Sequence, residues 1–228
     1  MWWASVIECT RRWQQVVFGW HDPEHAQEIL IQAPWSIFVH CDATKPAWIQ
    51  SLIDQCIVDW VCQIDWLFCS IWSHIDGTIT QTRPDQWQDM MDYNIMSTYR
   101  ALHMIIPHMI KQQFWRIVLM WSDQSYIWKP QSSAYGMTKA AIMQLTKSTA
   151  IDYAQYDICT NCICPGTIDT RQIQHTTIEQ KLDFQNAQPI KRLGTPTEVA
   201  KLVAFLLLDN DWFMTWACVP IDGWYTAQ

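Results

Sequence analysis

Glycine is scarce in this chain, with six residues among 228, where an average usage of about 7% would give roughly sixteen. No glycine-rich turn is therefore present, and with it goes the close backbone approach that such turns offer a phosphate. Clustered Lys and Arg are also missing. Fifteen basic residues against twenty-two acidic ones leave a formal charge of -7, which argues against a nucleic-acid partner. The longest apolar run, Leu202 to Leu208, is far too short to span a bilayer, and the start MWWASVIECTRRW lacks a continuous apolar stretch. The reading is a cytoplasmic protein with no membrane partner. Nine cysteines are an odd number in a chain too long to need disulfide staples, so reduced thiols are expected. Cys159, Cys162 and Cys164 sit on a strand whose alternate residues face opposite ways, and no second close pair completes a zinc set, so no metal is expected. Internal repeats, linkers and low-complexity segments are absent, and half of the residues are hydrophobic. A single domain over residues 1–228 with a sizeable core follows.

What the chain has in excess is tryptophan, sixteen residues, and one stretch of unusual chemistry. Ser122 to Gly166 reads SDQSYIWKPQSSAYGMTKAAIMQLTKSTAIDYAQYDICTNCICPG. From Ala134 the apolar residues recur with helical spacing, so Tyr135 and Lys139 share one face four residues apart. Pro130 keeps the preceding segment non-helical, and Ser132 or Ser133 can cap the helix, leaving Ser122 at a strand end beside it. The strand Ile158 to Cys164 then ends at the Pro165-Gly166 turn. This chemistry suits proton transfer at a carbonyl or alcohol. A tyrosine titrates near pH ~10, too high for neutral catalysis, and a cation at close range moves such a pKa by about 1–3 units. Lys139 is the candidate cation, and the Ser122 hydroxyl could meet the developing oxyanion. Taken alone, the Tyr–Lys pair reads more readily as a partly exposed helical pair than as a catalytic one.

The rest of the chain alternates. Helical patterns cover Trp2 to Trp13, His21 to Gln32, Ala47 to Trp60 and Pro84 to about Ile110. Strand patterns cover Val16 to Phe18, Ser36 to Cys41, Ile64 to Ser70 and Arg116 to Met120. Such alternation predicts an α/β fold with a doubly wound parallel sheet, whose ligands bind beyond the strand carboxyl ends. Asp42, Ser70, Ser122 and Pro165 all fall there. Asp169 is expected to cap the segment after the Pro165-Gly166 turn, and Thr170 to Gln188 reads as polar and irregular.

The pattern S-x12-Y-x3-K followed by NCICPGTIDT (Asn161 to Thr170) resembles the short-chain dehydrogenase/reductase (SDR) family. HCDAT (His40 to Thr44), MDYNIMSTY (Met91 to Tyr99), KRLGTPTEVAKLVAFLLLDN (Lys191 to Asn210) and ACVPIDGWYTAQ (Ala217 to Gln228) are similar to further family segments, so the resemblance covers nearly the whole chain. It implies a Rossmann-type oxidoreductase moving hydride between a nicotinamide cofactor and a secondary alcohol or ketone of sugar, polyol or ketoacyl type. Tyr135 would be the acid-base, Lys139 would lower its pKa and hold the ribose, Ser122 would position the carbonyl, and Asn94 would support a proton relay. Asp42, Ala43 and Ser70 would meet the adenosine half, and Pro165, Gly166, Ile168 and Thr170 the nicotinamide half. The resemblance further implies NAD or NADP, with NAD preferred, a homotetramer or homodimer, and a mobile substrate cover at Thr170 to Gln188.

The chain departs from the family in lacking its first strand and glycine-rich turn. Trp2 stands where that turn would end, Trp20 where an acidic or basic residue would select the cofactor, and Trp72 in place of a glycine of the turn after the fourth family strand. Trp13, Trp115, Trp128, Trp216 and Trp224 also occupy positions where relatives often have glycine. The alternative expectation is therefore a non-catalytic member that keeps the scaffold, binds no dinucleotide and acts through oligomer or partner contacts.

Overall fold

The computed structural model describes residues 1–59, 63–112, 115–127, 129–209 and 213–228, so Trp128 and the helix end at Trp60 lie outside the described residues. The chain opens on α1 (Trp2–Arg11), followed by β1 (Val17–Trp20), α2 (Pro23–Gln32), β2 (Ile37–His40), α3 (Pro46–Asp59) and β3 (Trp66–Cys69). The start of α2 shows why local sequence suffices there. Asp22 accepts from the amides of Glu24 and His25, and Pro23 occupies the first turn, where no amide hydrogen is needed.

The long helical pattern from Pro84 is realised in three parts: α4 (Pro84–Met90), a π-helical turn (Met91–Met96) and α5 (Ser97–Gln112). There follow β4 (Trp115–Met120), α6 (Ser133–Tyr153), β5 (Ile158–Pro165), α7 (Arg171–Gln174), α8 (Ile178–Ala187), α9 (Pro196–Ala204) and β6 (Cys218–Ile221). Residues 170–188, expected to be irregular, instead hold α7 and α8. The cause of α8 is a capping box: Thr177 accepts from the Gln180 amide while the Gln180 side chain accepts from the Thr177 amide. None of its residues is buried. At α7 the capping position is Thr170 rather than Asp169.

All strand pairs are parallel, as expected, but they form two groups: β1–β2, and β3–β4–β5–β6. The residues before β1 supply α1 and no strand. Helices cover both faces. On β4, where every residue is buried, Val118 and Met120 join the layer of α1, α2 and α9, while Ile117 and Leu119 join the layer of α3, α5 and α6. That alternation follows from the two-residue period of a strand and explains the apolar run Ile117 to Met120.

Three tryptophans that stand at glycine-type positions carry left-handed backbone: Trp13 (φ 63), Trp216 (φ 56) and Trp224 (φ 69). For an L-residue this conformation crowds Cβ against the carbonyl oxygen. Trp115, by contrast, lies in regular β4 and is fully buried.

Candidate functional site

Ser122 follows the end of β4 by two residues in extended backbone, and its hydroxyl accepts from the Gln124 amide. It is hydrogen-bonded to Tyr135 and donates to the carboxylate of buried Asp123 at 2.8 Å. Tyr135 lies in the first turn of α6, one turn ahead of Lys139, whose Nζ is 5.5 Å from the Tyr135 ring centre. Asn94 sits in the π-helical turn and is fully buried. Its amide donates to the Thr138 hydroxyl at 2.9 Å and to the Ser73 carbonyl at 3.0 Å, and its oxygen accepts from the Ser73 amide at 2.6 Å. Thr138 in turn donates to the Tyr135 carbonyl. The four catalytic candidates thus converge on the first turns of α6. A π-helical turn at such a place is a common mark of a functional site.

The electrostatics differ from the expectation in one respect. Tyr135 is 8% exposed and Lys139 1%. Burial raises the Tyr135 phenol above its ordinary value despite the lowering effect of its hydrogen bond with Ser122. Burial also lowers Lys139 to about 8. The expectation of a depressed phenol is therefore corrected: desolvation disfavours the charged form of both groups. The covering groups are the Trp72 ring, edge-on at 6.4 Å, and the His74 ring, edge-on at 4.7 Å.

A cavity of about 1010 Å³ lies alongside, bordered by Asp42, Ala43, Ser70 and Thr170 among the expected cofactor residues. Asp42 begins a loop after β2. Burial would raise its carboxyl, but hydrogen bonds from the Thr44 hydroxyl and amide to Oδ1, at 2.7 and 2.9 Å, hold it below its ordinary value. Trp2, Trp20 and Trp72 also line this space, and the Trp2 and Trp20 rings lie 4.6 Å apart. The other candidates stand outside it. Pro165 is the last residue of β5, Ile168 is packed in the core, and a Cβ on Gly166 would meet the Asp222 Cα at 2.8 Å. Tyr135, Lys139, Ser122 and Asn94 do not border the cavity either, because Trp72 stands between it and Tyr135.

Two polar atoms inside the cavity wall, Ser70 Oγ and Trp20 Nε1, are buried without a hydrogen-bond partner. Orphaned donors beside an ionised Asp42 suit the sugar and base of a dinucleotide. The residues thus fit the adenosine half of such a cofactor. At the nicotinamide half they do not, since Trp72 and His74 cover the phenol. Sequence reasoning missed two groups here. Asp123 pairs with Lys129 at 3.1 Å beside Ser122, and His74 packs on Tyr135; neither belongs to a recognisable spacing, although an acid directly after Ser122 is visible.

A family model described as enoyl-(acyl carrier protein) reductase matches residues 3–226. Among curated proteins, 2-(R)-hydroxypropyl-CoM dehydrogenase of Xanthobacter autotrophicus is 35% identical over 66% of this chain and 61% of its own length. Dehydrogenase/reductase SDR family member 6 of Rattus norvegicus is 36% identical over 64% of this chain and 63% of its own length. The chain thus spans a little over three fifths of the length of these relatives. Among solved structures, ElxO with NADP bound superposes with a TM-score of 0.92 at 25% identity, covering 99% of this chain and 94% of that one. The ordered Ser122, Tyr135, Lys139 and Asn94 cluster on this parallel α/β scaffold, together with a family match over almost every residue, places the chain in the short-chain dehydrogenase/reductase family of oxidoreductases.

Proposed function

We propose that the chain is an NADP(H)-dependent dehydrogenase or reductase of a secondary alcohol or ketone, of sugar, polyol or ketoacyl type. The observation that carries this reading is the convergence of Ser122, Tyr135, Lys139 and Asn94 on the first turns of α6, with Lys139 Nζ 5.5 Å from the Tyr135 ring centre and Asn94 hydrogen-bonded to Thr138. NADP(H) is preferred over the NAD expected from sequence, because the ElxO structures carry NADP and NADPH. A nicotinamide cofactor, with Asp42 and Ser70 at its adenosine half, would supply or accept the hydride once Trp72 and His74 left the phenol uncovered. Ser122 then orients the substrate oxygen, Tyr135 gives or takes its proton, and Lys139 holds charge beside the phenol. Asn94 keeps the π-helical turn and the Ser73 backbone fixed against Thr138. General acid-base catalysis of this kind contributes about 10²–10⁴-fold. Tyr135→Phe is accordingly expected to lower turnover of ketone substrates by at least about a hundredfold with the melting temperature unchanged; retention of the parent rate would end the assignment. Exposed Tyr99 on α5 and Ile151 on α6 support assembly into a homodimer or homotetramer through these helices, and a monomeric mass in sedimentation would count against it.

A second reading rests on a specific observation. Tyr135 and Lys139 lie behind Trp72, so the same scaffold could serve as a non-catalytic member that acts through partner contacts. Titration with NADPH and NADH separates the two readings: saturable binding with a rise in melting temperature favours the enzyme, and no binding of either at millimolar concentration favours the scaffold.

A further inference from the structure

Three thiols of β5 and β6 share one face of the sheet. Cys162 and Cys164 are two residues apart on β5 and so point the same way, into the layer of α3, α5 and α6. Strand β6 runs beside β5 in parallel register, and Cys218 is the direct partner of Cys162. It packs against the same layer, and the two sulfurs lie 2.9 Å apart, with the Cys162 thiol donating. Strand geometry decides which of the three can join. Neighbouring strands are about 4.7–4.9 Å apart, inside the separation of about 4.4–6.8 Å between Cα atoms that a disulfide spans. Cys164 stands two residues further along, which by the same spacings puts its Cα about 8 Å from that of Cys218, beyond the limit of about 7 Å. Cys162 and Cys218 are therefore the pair that can bond without moving the backbone.

The two members are unlike. Cys162 is fully buried, whereas Cys218, on the last strand of the sheet, is half-buried. The hydrogen bond from Cys162 holds the Cys218 thiol below its ordinary value, opposed by burial and aided by a hydrogen bond with half-exposed Tyr126. That same bond, together with burial, raises Cys162. Cys218 thus has the thiolate character of an attacking sulfur, with a protonated thiol held against it.

We propose that Cys162 and Cys218 form a modification site, a dithiol that hydrogen peroxide converts reversibly to a disulfide tying β5 to β6. The Cys218 thiolate attacks one peroxide oxygen, the O–O bond breaks and hydroxide leaves, so Cys218 becomes a sulfenic acid. The Cys162 sulfur then attacks the Cys218 sulfur. The S–S bond forms, the S–O bond breaks, and the departing hydroxide takes the Cys162 proton. The first hydroxide takes the proton that Cys218 released on ionising. The two sulfurs give up two electrons, peroxide accepts them, and two waters result. A small dithiol reverses the step by exchange. This site stands whether or not the chain turns over a substrate.

The test treats the full chain with hydrogen peroxide, alkylates the remaining thiols in denaturant and maps each cysteine by mass spectrometry with peptide fragmentation. Cys162 and Cys218 are expected to lose their thiols together, at least about tenfold faster than Cys164, to appear as one peptide pair linked through their sulfurs, and to recover fully with dithiothreitol. Cys162→Ser removes the second sulfur, and is expected to stop at a sulfenic acid on Cys218 that dimedone traps. Cys164→Ser should form the disulfide at the parent rate. Oxidation of Cys162 and Cys218 no faster than of Cys164 overturns the proposal. So does a link that uses Cys164, or one that forms only after the chain is unfolded. Mapping the parent protein needs no substitution, so it decides the matter even where Cys162→Ser fails to fold.

Discussion

Trp13→Gly is expected to stabilise the protein although it removes the largest side chain. Trp13 follows the last turn of α1, where its amide donates to the Thr10 carbonyl at 3.0 Å and the Gln14 amide donates to the Cys9 carbonyl at 3.2 Å. This is the Schellman arrangement, which requires a left-handed residue at the position Trp13 holds with φ 63. Left-handed backbone costs an L-residue about 1–2 kcal/mol, and glycine nothing. Against that gain stands the extra freedom of glycine in the unfolded chain, about 0.5–1 kcal/mol. Little packing is lost, because Trp13 is 90% exposed. The balance is a gain of about 0.5–1 kcal/mol, which for a domain of this size is a rise of about 1–4 °C in melting temperature. Trp13→Ala is the control, since it removes the ring and keeps the strain. Thermal melts of the three proteins decide the matter: a glycine variant that melts no higher than the alanine variant would refute the conformational argument.

Trp72→Gly removes the ring between the cavity and Tyr135, and should lower the Kd for NADPH by at least about tenfold, equivalent to 1.4 kcal/mol, in a fluorescence titration; unchanged affinity would mean that Trp72 is not the obstruction. Lys139 carries a pKa lowered to about 8 from 10.5, so burial of its charge opposes folding fully below pH 8 and the penalty disappears as pH rises to 10.5. The stability advantage of Lys139→Met over the parent should therefore shrink between pH 7 and pH 10 in denaturant titrations, and a constant difference would contradict the buried ammonium. Asn94→Ala leaves the Ser73 amide and the Thr138 hydroxyl without their partner in the interior, a loss of about 1–3 kcal/mol that chemical denaturation would read directly; a change within 0.5 kcal/mol, as for a surface site, would show the network to be dispensable.

Most of the scaffold was legible because its signals are local. Asp22-Pro23 announces a helix start, and the apolar run at Ile117 to Met120 announces a buried strand. The Tyr135–Lys139 spacing needs only the helical repeat. What sequence could not supply was the depth at which that pair lies. Desolvation depends on Trp72 and His74, which arrive from a loop some sixty residues upstream, and no spacing rule encodes their approach. The same holds for the pairing of strand edges, since which edge stays open is a property of the assembled sheet. The helix α8 was missed for a different reason: it buries no residue, so its apolar pattern is faint, and only the Thr177–Gln180 capping box marks it. Among the glycine-type positions, the left-handed backbone at Trp13, Trp216 and Trp224 shows that backbone geometry persists even where the side chain opposes it.

The large space beside β1 and β3 also sets how the protein should respond to compression. Unfolding eliminates internal voids, and its volume change, about −20 to −100 mL/mol for folded proteins, scales with the void removed. The cavity of about 1010 Å³ with largely apolar walls adds to that void wherever it excludes water, so a ligand that fills it should make the protein less sensitive to hydrostatic pressure.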